Sequence, residues 1–571
     1  MFIAFVLIAL ALWLQPRGGP EVSAGSTLLV ELSGDFVEAP ESSFLARILG
    51  GARRPFASLL SIFALAERDP RLSAVVLRIR SLGIGWGKAQ EMRDAIGRLR
   101  KAGKKTVAFL DLADLSVSRE YYVASAAEEI YAAPGAIVPL VGLAAEYFFL
   151  GGMWEKVGVT IEAERIGRYK SAVESIRGFE MSEAHREMAN AILDSIDAQF
   201  VGGIAVGRGM SEAAVRSAID TGPARLDELV ALGLLDGVSH LDELPEMQGA
   251  VIKGKHYAEV DPASVGFEAV AQFALVYGTG NVVPGDDKLS PRGSPVFASE
   301  RVSRALLDAA EDSKIAAIIF RIDSPGGSAL ASEEIWRAVQ RVKESGKPLI
   351  ASFSDVAASG AYYAAAGADG IVASPGVLTG SIGVFILRPM IGELLGKVGI
   401  GVESLTRGRH ADLLLSTGPL SPGARERTRS VVKSTYELFV DRVAKGRGLT
   451  PERVDELGQG RVWTGARAVE LGLVDELGGL RSAVDRAKRA LGLEEDVGVL
   501  LLPYPPPGGL ADELRDLLEG GLARSLSGAL WGRAAGLRLP APELLERLQD
   551  WWLDLPHGRP LLVPPLIMDV H

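Results

Sequence analysis

Cysteine is absent from the 571 residues, and with it go disulfides, thiolate nucleophiles, iron–sulfur clusters and cysteine-ligated zinc. Histidine is scarce. The six, His185, His240, His256, His410, His557 and His571, show neither metal-ligand nor catalytic-triad spacing, so a histidine base cannot be argued from motif. There is no surplus of positive charge: 61 Lys plus Arg stand against 72 Asp plus Glu, a formal charge of −11, which excludes the basic surface that phosphate neutralisation requires and so excludes nucleic acid as a partner. No run of 18 apolar residues occurs, so the bulk of the chain reads as soluble. What is present is ordinary for globular domains, 48% hydrophobic and 23% charged residues, in a chain long enough for several domains.

The longest apolar run is at the amino terminus, Phe2 to Leu14, followed by Gln15, Pro16 and Arg17. As a helix it rises ~20 Å against a hydrocarbon core of ~30 Å, which suits a signal h-region or a marginal anchor rather than a full span. The expectation is an export signal or anchor in residues 1–26.

The chain repeats itself, and repeats organise everything else. Tyr121-Tyr122 through Pro134-Gly135 is matched by Tyr362-Tyr363 through Pro375-Gly376. Upstream, Ala74 to Ser81 pairs with Ala317 to Ser324. Downstream, Gly207-Arg208-Gly209 and Leu232 to Asp236 pair with Gly446-Arg447-Gly448 and Leu471 to Asp475. Residues 27–245 and 271–495 are thus two copies, joined by a linker at 246–270 and followed by a proline-containing tail at 496–571, whose Trp551-Trp552 pair reads as local packing. Within each copy, short β-branched runs such as Ala317 to Ile322 alternate with amphipathic stretches such as Ser332 to Glu344, the pattern of an α/β fold with buried strands. Ser182 and Ser421 are the N-caps expected for two long helices.

The copies differ where chemistry is at stake. After the matched strand, the second copy has Asp323-Ser324-Pro325-Gly326-Gly327, while the first has Arg80-Ser81-Leu82-Gly83-Ile84. Adjacent glycines let peptide N–H groups approach a ligand, as an oxyanion hole requires. The second copy then offers Ser359-Gly360 among small residues where the first has Ser118-Arg119. Conversely, Gly167-Arg168-Tyr169-Lys170 of the first copy falls opposite Gly408-Arg409-His410-Ala411 of the second. A lysine present in one copy and a glycine-framed serine present in the other suggest one composite site shared between the halves.

Taken together, these motifs resemble the long form of the signal peptide peptidase A (protease IV) family, serine/lysine-dyad endopeptidases. The likeness runs from about residue 27 to residue 490. The resemblance implies tandem duplicated Clp-protease/crotonase-like domains of ββα-spiral type. It assigns Ser359 as nucleophile, Lys170 as general base and Ser381, in Thr379-Gly380-Ser381-Ile382-Gly383, as the residue that orients the lysine. Backbone N–H groups of Gly360 and of Gly326 or Gly327 would hold the oxyanion. No metal or organic cofactor is implied. The implied partners are hydrophobic peptides such as signal peptide remnants, the membrane through the amino terminus, and further copies of the chain in a homo-oligomer, a tetramer. Ala136 to Phe149 and Val377 to Leu387 are the candidate channel walls. The implied location is the bacterial inner membrane, with the catalytic part on the periplasmic side. Three rival readings predict other behaviour: a crotonase-like acyl-CoA enzyme would survive loss of Ser359, a non-catalytic membrane-associated scaffold would not label with a serine-directed probe, and a Ser/His hydrolase would depend on His410.

Overall fold

The computed structural model describes residues 20–39, 54–223, 225–287, 290, 294–506 and two short strands, Leu561–Leu562 and Asp569–Val570. In the first copy, strands β1 (Ser26–Val37), β2 (Leu72–Gly83), β3 (Lys105–Leu110) and β4 (Glu129–Ala132) lie side by side in that order, all parallel. Helix α1 (Trp86–Lys101) follows β2 and α2 (Ser118–Ala124) follows β3. Further along come β5 (Thr160–Ile166), the short α3 (Ala172–Arg177) and the long α4 (Glu183–Arg208). The second copy repeats the plan. Strands β6 (Ala269–Thr279), β7 (Ile315–Ser324), β8 (Leu349–Ala358) and β9 (Gly370–Ala373) are again parallel and adjacent in order, with α5 (Ala329–Glu344) after β7 and α6 (Gly360–Ala365) after β8. Then follow β10 (Leu378–Gly380), β11 (Val384–Met390) and the long α7 (Pro422–Arg447). The strands are apolar on both faces because helices cover both: Val75, Val76, Leu77, Ile318, Ile319 and Phe320 are all fully buried. The fold class is therefore duplicated α/β, as the two-copy pattern implies.

The copies share the contacts that set their geometry. Tyr121 Oη donates to the Leu234 carbonyl at 2.7 Å and Tyr362 Oη to the Leu473 carbonyl at 2.8 Å. Asp236 accepts from the Ile130 N–H and Asp475 from the Ile371 N–H, each at 2.7 Å. Ser182 and Ser421 cap the long helices by accepting from His185 N and Ala424 N. Two segments read from the sequence as linker and tail contribute strands: Val251–Lys253 pairs with β1, and Gly498–Tyr504 pairs with β6. Each satisfies backbone groups along a sheet edge that would otherwise be bare.

The halves are joined by an antiparallel ribbon in which β5 of the first copy pairs with β11 of the second, from Ile166 opposite Val384 to Thr160 opposite Met390. Val159, Ile161, Val173 and Ile176 from one copy and Phe385 and Leu387 from the other form a small shared core beneath it. The same sheet includes Leu561–Leu562, between Gly327–Ser328 and Phe385.

The expected inner-membrane location is corrected. Among the described residues no helix is long and apolar enough to cross a membrane. Phe2 to Leu14, on which that expectation rested, falls short of a span by length alone and lies outside the described residues, as does the Trp551-Trp552 pair.

Candidate active site

The ribbon fixes the site. Lys170 follows β5 by four residues and Ser381 precedes β11 by three, so pairing β5 with β11 brings the two loops together. Lys170 Nζ lies 2.7 Å from Ser359 Oγ, 3.0 Å from Ser381 Oγ and 2.9 Å from the Ser381 carbonyl oxygen. All three residues are fully buried. Burial holds the Lys170 amine well below its ordinary ionisation range, and among the described residues no carboxylate is bonded to it to restore the charge.

Ser359 sits at the end of β8 with φ 55° and ψ −115°, a conformation that side-chain-bearing residues rarely adopt and that costs about 1–3 kcal/mol. It is held there from both sides: its N–H donates to the Gly380 carbonyl at 2.8 Å, and its own carbonyl accepts from Tyr363 N at 2.8 Å to open α6. Ser381 is also left-handed, φ 53°, and its N–H donates to the Arg461 carbonyl at 2.7 Å. Thr379 Oγ1 donates to the Ala357 carbonyl at 2.7 Å, tying the Ser381 loop to the strand that leads to Ser359.

The glycine turn is sterically obligatory. A Cβ on Gly327, at φ 156°, would meet the Val282 carbonyl oxygen at 2.2 Å. The two turn glycines are not equivalent as donors, because the Gly326 N–H is already engaged by Ser324 Oγ at 3.1 Å. Gly327 itself pairs with Val282 on one side and with Leu562 on the other. His410, the rival base, lies at the N-terminus of a short 3-10 turn against Gly423, with no hydrogen bond to Ser359 among the described residues. Of the two candidate channel walls, Val377, Ile382, Val384 and Phe385 are fully buried, whereas Ile137, Val141 and Phe148 expose apolar side chains.

Sequence reading missed the residues that seat the lysine. Arg165 Nη1 donates to the Lys170 carbonyl and to Glu174 Oε1, both at 3.0 Å. Tyr169 N donates to the Gln459 carbonyl at 2.8 Å, and Gly460 packs so tightly on Lys170 that a Cβ there would come within 2.6 Å of it. Arg461 Nη1 bridges Glu187 and Tyr169 Oη at 2.7 and 3.0 Å. The glycine at 460 was the one available signal.

Comparison with known proteins finds matches to both copies. The model of peptidase family S49 matches residues 98–248 and 341–494, one segment in each copy. The chain is 35% identical over 565 residues to "Serine protease SPPA, chloroplastic" of Arabidopsis thaliana, covering 96% of this chain and 80% of that protein. It is 28% identical over 584 residues to "Protease 4" of Haemophilus influenzae, covering 96% and 92%. "Putative signal peptide peptidase SppA" of Enterococcus faecium matches a single stretch of 179 residues at 36% identity, 31% of this chain and 52% of that protein.

Proposed function

The chain belongs to peptidase family S49 and is a serine protease, and from that premise we propose that it cleaves peptides with a Ser359/Lys170 dyad. The observation that carries this reading is the 2.7 Å approach of Lys170 Nζ to Ser359 Oγ in a fully buried setting. A neutral amine has two N–H groups and one lone pair. Directed at Ser381 Oγ and the Ser381 carbonyl, the N–H groups leave the lone pair facing the Ser359 hydroxyl. An ordinary lysine at pH 7 would need ~4.6 kcal/mol to lose its proton, so burial is what makes the base available.

Ser359 Oγ then forms a bond to the substrate carbonyl carbon as its proton passes to Lys170. The oxyanion lies against the N–H groups of Gly360 and Gly327, each of which contributes about 3 kcal/mol in comparable proteases. Breaking of the C–N bond takes the proton from Lys170 to the leaving amine. Water, deprotonated by the same amine, releases the acyl group.

The substrates we propose are signal peptide remnants and other short apolar peptides in extended form. Supporting this are the name of the Enterococcus faecium relative and the strand-wide gap between Gly327–Ser328 and Phe385, which holds the extended segment Leu561–Leu562. We extend the proposal to a homo-oligomer, a tetramer, for which the exposed Val398, Ile400, Leu405 and Leu414 provide apolar contact surface. Labelling by a fluorophosphonate probe, with an apolar peptide assay alongside, tests the dyad. Wild type labels and hydrolyses, whereas Ser359→Ala and Lys170→Ala do neither. Substantial hydrolysis by Lys170→Ala would remove lysine from the mechanism. Light scattering on the purified chain tests the tetramer.

A further inference from the structure

The helix that follows the degenerate turn of the first copy is capped by the second copy. Helix α5 caps itself, its Ser328 Oγ accepting from Ala331 N. At the equivalent N-cap of α1 stands Gly85, which has no side chain to offer. The carboxylate of Asp355, in β8 four residues before the nucleophile, takes over: it accepts from Gly85 N at 3.0 Å and from Lys88 N at 2.8 Å. Lys88 also sends its side chain across the boundary. Its Nζ donates to Asp355 Oδ2 at 2.7 Å and to Asp323 Oδ2 at 2.6 Å, and lies 3.3 Å from Glu38 Oε1. Asp323 is the residue from which the glycine turn departs, and its other oxygen accepts from Val356 N at 3.1 Å.

One buried ammonium thus holds two carboxylates, one on the strand that carries the oxyanion turn and one on the strand that carries Ser359. We infer that Lys88 is a positioning residue for hydrolysis, fixing the Gly327 turn relative to Ser359 by clamping Asp323 to Asp355. This inference rests on the dyad reading above.

The surroundings make the clamp necessary. Lys88 is 3% exposed, and the charged groups facing it are Asp323 from β7, Asp355 from β8 and Glu38 after β1. Arg321 is fully buried and serves Glu38 and Glu91 instead, through bonds of 2.9 and 2.7 Å, leaving Asp323 and Asp355 to Lys88. Burial pushes the Asp323 carboxyl up, and Asp355 and Glu38 push it the same way, while Lys88 opposes them. Without the ammonium, two carboxylates on adjacent strands repel until one takes up a proton.

The test is Lys88→Met in the full chain, assayed by peptide hydrolysis across pH 5 to 9 beside wild type, Ser359→Ala and the double variant Lys88→Met/Asp323→Asn. For Lys88→Met the expectation is a loss of about tenfold or more at the alkaline end, carried by kcat rather than KM. The variant-to-wild-type ratio should rise as pH falls, because protonation of Asp323 removes the repulsion. Taking the ratio cancels the titration of Lys170, which both proteins share. The double variant, which lacks the repelling charge, should recover most of the loss, and it supplies the readout if Lys88→Met alone does not fold. A ratio that stays flat with pH, or a double variant no better than the single one, overturns the inference and leaves Lys88 a packing residue. Hydrolysis that survives Ser359→Ala would instead overturn the dyad, a separate outcome.

Discussion

The two copies have nearly the same frame and opposite uses for it. In the second, the residues after Ser359 are Gly360 and Ala361, which bring no polar side chain to the turn. In the first, the corresponding residues are Arg119 and Glu120, and both bond to the backbone of the turn. Arg119 Nη1 donates to the Ile84 carbonyl at 2.6 Å, and Glu120 Oε1 accepts from Leu82 N at 2.7 Å. Ser118 meanwhile donates to the Gly142 carbonyl at 3.1 Å, and among the described residues no lysine or histidine is bonded to it. There the protein's own side chains satisfy polar backbone groups of the turn. What the first copy gives up there it returns as parts for its partner, Lys170 in one loop and Lys88 on one helix.

This contrast is most severely tested by paired substitutions. Lys170→Met in the first copy should silence hydrolysis as completely as Ser359→Ala in the second, by three or more orders of magnitude, since groups that act as a unit fail together. Ser118→Ala, the same change in the disused copy, should leave kcat/KM within about twofold of wild type. A large effect at Ser118 would mean two sites rather than one. Next in size is Gly327→Ala, whose Cβ would be driven into the Val282 carbonyl; a loss of about 10²–10³ in kcat/KM is expected from the displaced N–H. The equivalent Ile84→Ala should change stability but not the rate per folded molecule.

The pH profile sharpens the comparison further. Because burial lowers the Lys170 ionisation, the rising limb of kcat/KM should lie well below pH 10.5 and disappear in Lys170→Met. The linked stability effect has the opposite sense to that of an ion-paired lysine. The amine is neutral when folded and charged when unfolded, so wild-type stability declines as pH falls below about 10.5, until the folded-state amine is itself protonated. Relative to wild type, Lys170→Met should gain up to about 4 kcal/mol between pH 10.5 and 7, measured by denaturant unfolding. A gap that does not move with pH would mean that the lysine is charged in the fold. The smallest effect concerns strain: at φ 55°, glycine should replace Ser359 with about 1 kcal/mol less destabilisation than alanine, both variants being inactive.

Much of this could be read from residues alone, because the repeat carries its own control. The turn glycines, Ser359 and Lys170 stand out as departures between otherwise matching segments. The ribbon of Thr160–Ile166 with Val384–Met390 could not be read, since pairing between distant strands leaves no local signature. Nor could the left-handed backbone of Ser359, a geometry imposed by Gly380 and Tyr363 on a residue type that does not advertise it. Lys88 carries no motif of its own, and its burial depends on the second copy packing against it. Gly326 and Gly327 were indistinguishable until Ser324 Oγ was seen to have claimed one of them.

The division of labour across the ribbon also bears on synthesis. The half bearing Lys170 leaves the ribosome first and must wait for β11 to be translated before its amine meets a hydroxyl. If the proposed dyad is the cutting edge, the nascent chain has none to turn on its neighbours until then.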